Sequence, residues 1–346
     1  MTRKIAIVGD NFMLPDVFEK KILERCKLEL EIKKLQQPWP DEPMEHGYAQ
    51  AGMDGLKEYM GNAHELVEFI DDAEILVTQL APLSRLMIEQ LPQLKLVAVS
   101  RGGPVNIDIA AAKERQIVVV NTPGRNASAV AEFALGAILA ETRNIRQSHE
   151  GLRKAHWQGD LYRYDKTGRE LGELTVGVIG YGNIGKRVVS LLRAFGSRVL
   201  VFDPYIQLTA DDLNAGVELA SFHQLLDASD VVTMHARVTD ETRQMMNTEA
   251  FVRMKDDALF VNTARGPLVN YDDLYTALVN GVIGSAMLET FAVEPVPPDY
   301  PLLSLPNVTL TPHIAGASVK TVTYAAEQVA MELERYFNGL SAINPN

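Results

Sequence analysis

Short runs of consecutive apolar residues, rich in Val and Ile, recur along this chain between segments of helical period. In the first third they are "KIAIVG" (4–9), "LELEI" (28–32), "EILVT" (74–78), "LKLVAVS" (94–100) and "QIVVVN" (116–121). After residue 170 come "LTVGVIG", "RVLVFD", "DVVTMHA", "ALFVNTA", "IGSAMLE" and "NVTLTPH". Strands apolar at successive positions are buried on both faces, and strands alternating with helices make a parallel sheet covered by helices. Five such strands followed by six predict an α/β protein of two doubly wound units. The length of 346 residues fits two domains. A long helical stretch from about Ser128 to Arg153 separates the two sets of strands. The segment 316–340 has an amphipathic helical pattern ending at Asn338–Gly339.

The net charge of −12 makes the chain a poor general binder of nucleic acid or of anionic membrane. No run of about 18 apolar residues is present, so no membrane span is expected. The single cysteine, Cys26, permits no internal disulfide, and the first residues lack the apolar core and cleavage site of a secretory signal. A cytoplasmic location is the expectation.

The stretch "TVGVIGYGNIGKR" (175–187) fits two phosphate-binding patterns. A triphosphate loop needs Ser or Thr after its lysine, and Arg187 stands there. The dinucleotide reading is better supported, because a strand precedes the glycines, a helix-compatible segment follows, and the next strand ends in Asp203. Gly180 permits the tight turn, Gly182 lets backbone approach a pyrophosphate, and Gly185 lets helix and strand pack closely. Helix-start N–H groups would hold the anion. Asp203 would accept from both ribose hydroxyls and repel a 2′-phosphate, which favours NAD over NADP. The plainer alternative for Asp203 is a turn residue before Pro204.

Ligands of such sheets lie beyond the carboxyl ends of the strands. There, "ALFVNTA" runs into Arg265 and then Gly266, "NVTLTP" runs into His313, and Glu294 follows another strand. These groups suit hydride transfer to or from a 2-hydroxy acid. Arg265 can hold a carboxylate bidentately, and His313 can exchange the hydroxyl proton. Glu294 can hold the second imidazole nitrogen. Taken singly, each is more often a surface charge, a helix-start residue or a loop acid. The histidines His46, His64, His149, His156, His223, His235 and His313 make no metal-ligand spacing, so no metal is expected.

With "VVVNTPGRNASAVAEFALGAILA", "LTVGVIGYGNIGKRV", "VFDPY", "VNTARGPLVN", "FAVEP" and "LTPHIAG" in this order, the chain resembles the D-isomer-specific 2-hydroxyacid dehydrogenase family over about 94–318. The resemblance implies a Rossmann NAD-binding domain (122–316) inserted into a flavodoxin-like substrate domain (1–121 with 317–346), with a catalytic cleft between them. It implies Arg265, Glu294 and His313 as catalytic residues. It places Gly180, Gly182, Asn183, Ile184, Gly185, Asp203, His235, Ala264, Glu289 and Gly316 with NAD, and assigns His313 rather than His235 as the base. It also implies a homodimer helped by the Trp157–Tyr164 segment, whose aromatic residues equally suit plain loop packing.

Four positions depart from the family pattern. Glu289 stands where Asp is usual, the carboxylate that helps hold the nicotinamide amide. Arg237 replaces a proline in "HARVT". The loop "SRGGPVNID" that should hold the substrate carboxylate through Gly102 and Gly103 is shorter, and its Pro104 offers no N–H. Arg125 stands where a small residue is common. Arg101 and Arg125 suggest a second anionic group on the substrate, with salt bridging as the alternative. The reading is an NAD-dependent enzyme acting on a small D-2-hydroxy acid or 2-oxoacid. The alternative of another class is an NAD(H)-sensing regulatory protein of the corepressor type.

Overall fold

A computed structural model describes residues 2–39 and 52–346. The chain divides into two compact units, Met1–Asn126 with Ala317–Asn346, and Ala127–Gly316. The first unit ends at Asn126 rather than at 121, and Arg125 is bonded within that unit to Gln79.

The first unit contains strands β1 (Arg3–Asp10), β2 (Leu30–Gln37), β3 (Ile75–Thr78), β4 (Leu96–Val99) and β5 (Val118–Asn121). They form one parallel sheet in the order β2-β1-β3-β4-β5. The apolar runs explain the order of burial: β3 and β4 are buried at every residue, whereas the edge strand β2 is nowhere fully buried. Val319–Phe337 forms one helix that packs on Pro15–Arg25. Their shared core includes Phe18, Ile22, Ala325, Val329 and Leu333. Burying each larger side chain there contributes about 1.5–3 kcal/mol.

The second unit contains β6 (Thr175–Ile179), β7 (Arg198–Phe202), β8 (Glu218–Leu219), β9 (Val231–Met234), β10 (Leu259–Asn262), β11 (Ser285–Leu288) and β12 (Val308–Leu310). The parallel order is β12-β11-β10-β9-β6-β7-β8. The seventh strand, β8, was not anticipated: it has two residues, both exposed, and so lacks the apolar run that marks the others. The direction of winding reverses between β6 and β9, which makes their carboxyl ends a ligand-binding crevice.

The expected long helix is two helices, Ala127–Thr142 and Ile145–Arg153. Asn144 breaks them with a left-handed backbone, φ +56°, and its side-chain amide donates to the Lys166 carbonyl. Asn tolerates this conformation better than most residues.

Candidate active site

The glycine loop follows β6 and opens the helix Asn183–Ala194. Gly180 has φ +94°, and a Cβ there would lie 2.6 Å from the Ala236 nitrogen. A Cβ at Gly185 would lie 2.1 Å from the Gly180 carbonyl oxygen. Both positions therefore require glycine for packing. Gly182 differs, since a Cβ there would meet nothing within 4 Å. Its bareness leaves open space beside the helix start, where Asn183 and Ile184 begin the helix and no side chain caps it. Asp203 accepts from the Tyr181 N–H at 2.8 Å and the Tyr205 N–H at 3.0 Å. One acid thus ties the glycine loop to the end of β7, and each oxygen retains a further lone pair.

Beyond the glycine loop, three buried polar atoms are unpaired at the ends of neighbouring strands. They are His235 Nδ1 after β9, Thr263 Oγ1 after β10 and Thr290 Oγ1 after β11. Buried polar atoms are normally satisfied, and a polar ligand at these strand ends would satisfy all three. The His235 Nε2 lies 3.0 Å from the Thr233 hydroxyl. Burial pushes its imidazole down to about 3, which keeps the ring neutral and makes it a poor acid–base group. Ala264 is buried, and its N–H donates to the Asn262 side chain at 3.0 Å. Gly316 closes this unit. Open cradle, helix start and unpaired strand-end atoms fit a dinucleotide.

Arg265, Glu294 and His313 leave the carboxyl ends of β10, β11 and β12. His313 Nδ1 lies 2.7 Å from Glu294 Oε2, and Glu294 Oε1 accepts from the Phe291 N–H at 2.8 Å. One carboxylate is thus fixed by its own loop and holds the ring. His313 has φ +53°, unusual for a non-glycine residue. The exposed Arg265 donates to the Ala264 carbonyl at 2.7 Å. Asn262 and Tyr271 brace this region: the Asn262 amide donates to the Arg265 carbonyl at 3.2 Å, and the Tyr271 hydroxyl donates to the Thr290 carbonyl. Gly266 permits the close approach, since a Cβ there would meet the Phe291 carbonyl oxygen. The bracing by Asn262 and Tyr271 was missed in the sequence, where only Gly266 gave a signal.

Glu289, with no exposed surface, directs its carboxylate at its own unit: it accepts from the Thr311 hydroxyl and the Ala315 N–H. Burial raises its pKa, with those two donors opposing.

The remaining sequence-picked residues lie in the first unit. Arg101 pairs with Glu58, and Arg125 donates to Gln79 at 2.7 Å and to the Ser100 carbonyl. Each arginine is thus partnered at the strand ends of its own sheet. Burial, then the like charge of Arg101, pulls the Arg125 guanidinium down, with Asp10 opposing. Gly102 and Gly103 are exposed, and a Cβ at Gly103 would meet nothing within 4 Å. His46 lies outside the described residues. Among the described residues no cluster of three metal-ligating side chains occurs, and no helix is long and apolar enough to cross a membrane.

Residues 135–315 match the family model described as D-isomer specific 2-hydroxyacid dehydrogenase, NAD binding domain. Among curated relatives, the putative 2-hydroxyacid dehydrogenase YoaD of Bacillus subtilis is 40% identical over 259 residues, 73% of this chain and 74% of that protein. The glyoxylate reductase of Korarchaeum cryptofilum is 37% identical over 282 residues, 81% of this chain and 84% of that protein. Among solved structures, the NAD-dependent formate dehydrogenase of Staphylococcus aureus in complex with NAD superposes with a TM-score of 0.73 at 27% identity, covering 97% of this chain and 95% of that one.

Proposed function

Within the D-isomer-specific 2-hydroxyacid dehydrogenase family, to which this chain belongs as an NAD-dependent enzyme, we propose that Arg265, Glu294 and His313 interconvert a small D-2-hydroxy acid and its 2-oxoacid. The observation that carries this reading is the 2.7 Å hydrogen bond between His313 and Glu294. Nδ1 is the nitrogen that Glu294 holds, so proton exchange with substrate is assigned to the opposite ring nitrogen. NADH, when bound in the cradle, would supply the hydride for the carbonyl carbon. His313 gives its proton to the carbonyl oxygen, and in oxidation it takes the hydroxyl proton back. Glu294 fixes the orientation of the ring. Arg265 offers a permanent cation and a planar pair of donors to the substrate carboxylate.

The cradle of Gly180, Gly182 and Gly185 would hold the pyrophosphate, and Asp203 the adenosine ribose. His235, Ala264 and Gly316 belong to the same cofactor site. Trp157, Tyr162 and Tyr164 are 81%, 95% and 99% exposed, and such solvent-facing aromatic residues support a homodimer seated on this segment. A cytoplasmic setting belongs to the same reading and rests on the lone buried Cys26.

The test is absorbance of NADH during incubation with a panel of 2-oxoacids, phosphorylated members included. Turnover of at least one oxoacid, slowed by roughly 10²-fold or more in His313→Ala, is expected. NADH binding without oxidation by any oxoacid would overturn the reading in favour of an NAD(H)-sensing regulator.

A further inference from the structure

We propose that Glu289 is the positioning residue of His313, acting through the turn that carries the imidazole. This inference rests on His313 being the acid–base group.

The turn runs from Thr311 to Ala315, and Glu289 holds it at three points. Its Oε2 accepts from the Thr311 hydroxyl at the start, and its Oε1 accepts from the Ala315 N–H at the end. Its backbone carbonyl accepts from the His313 N–H at 3.1 Å in the middle. Glu289 is itself fixed, because its N–H donates to the Asn262 carbonyl at 3.0 Å and the residue has no exposed surface. The turn needs such a hold. His313 adopts φ +53°, and a non-glycine residue stays in that region only where its surroundings over-determine it. An apolar residue at 289 would strand a buried N–H at Ala315, a large cost.

The same strand end carries the second constraint on the ring. Glu294 lies a few residues beyond Glu289 and bonds the imidazole. The position of the ring and its orientation are therefore both set from the end of β11. The longer acid suits this task, since one side chain reaches both ends of the turn. Both its oxygens are engaged there, so its effect on the reaction runs through His313.

The test combines kcat, measured with an oxoacid the wild type reduces, and the dissociation constant for NADH, measured by fluorescence titration. Thr311→Val keeps side-chain shape and removes one donor. It should lose roughly tenfold in kcat, the scale of one charge-assisted hydrogen bond. Glu289→Ala should lose roughly 10²-fold, as two such bonds go. Glu289→Gln should recover most of the rate, because its amide still offers an acceptor to Ala315. The double variant Glu289→Ala/Thr311→Val should be no slower than Glu289→Ala, since the two groups act as one unit. NADH affinity should stay within about twofold throughout. If Glu289→Ala fails to fold, Thr311→Val and Glu289→Gln carry the test.

NADH affinity falling in step with activity, with Thr311→Val silent, would overturn the proposal and give Glu289 to the cofactor. Unchanged kcat in Glu289→Ala would also overturn it. His313→Ala is assayed alongside. Full activity there would remove the acid–base reading itself, whereas an inactive His313→Ala beside normal Glu289 and Thr311 variants would remove only the positioning role.

Discussion

Gly266 stands against Phe291 so closely that a methyl group on it would lie 1.8 Å from the Phe291 carbonyl oxygen. The loop after Arg265 and the loop leading to Glu294 are therefore in backbone contact. Gly266→Ala should force them apart. Overpacking of this kind costs about 1–3 kcal/mol or more, and here it would push the backbone beside Arg265 away from the loop that leads to Glu294. Thermal denaturation should show a lower Tm, and kcat/KM should fall more than stability alone explains. An alanine variant with native activity would mean that the spacing of these loops is not critical.

Loss of the imidazole in His313→Ala should reduce kcat by roughly 10²–10⁴-fold, the range for a general acid–base group. Glu294→Gln should come close to it, because the group orienting a catalytic histidine is worth up to ~10⁴ in related geometries. NADH binding should be unchanged in both. A loss below tenfold in His313→Ala would move proton transfer elsewhere.

Asp203 ties two backbone N–H groups, and the proposed function also gives it the adenosine ribose. Asp203→Ala should weaken NADH by about tenfold, the scale of a charge-assisted hydrogen bond, and weaken NADPH less, since a repulsive charge is removed as well. Dissociation constants for both, measured by fluorescence, decide it. Equal weakening would leave Asp203 as a turn residue alone.

His235 couples acid to stability. Burial pushes its imidazole from 6.5 to about 3 in the folded chain. Between those values the unfolded chain takes up a proton that the folded chain refuses. Stability from this group is thus full above about pH 6.5 and declines as pH falls toward 3, by up to ~1.4 kcal/mol per pH unit. His235→Asn should flatten that part of the curve relative to wild type. Urea unfolding between pH 7 and pH 4.5 measures the difference, and parallel curves would show that the ring is hydrated or partnered.

If the exposed aromatic segment seats a second copy, the double variant Trp157→Ala/Tyr164→Ala should shift sedimentation from dimer toward monomer. Buried interface aromatics of this type are worth about 2 kcal/mol or more each. A monomeric wild type, or a dimer untouched by the change, would remove the segment from the interface.

Much of this was legible in the residues. The Val- and Ile-rich runs marked the strands because a strand covered on both faces has no polar position to spare. The spacing of Gly180, Gly182 and Gly185 marked the cradle because Gly180 and Gly185 leave no room for a side chain and Gly182 keeps the space beside the helix start open. Arg265, Glu294 and His313 stood out because each follows a strand. Less was legible where the signal was short or distant. The strand Glu218–Leu219 has too few residues to form a pattern. The break at Asn144 lies in a helix-compatible stretch and depends on a bond to Lys166. Arg101 invited a role with anions, yet its partner Glu58 is 43 positions away.

The sequence by itself determined the layered α/β architecture and the dinucleotide cradle and nominated the reactive groups, because periodicity, glycine sterics and side-chain chemistry are local properties. Tertiary structure alone decided which of those groups meet. It joined His313 to Glu294, set Gly266 against Phe291, and turned the Glu289 carboxylate toward Thr311 and Ala315. Hydrogen bonds act over about 3 Å, and only the folding of separate strand ends onto one edge brings residues so far apart in the chain within that range.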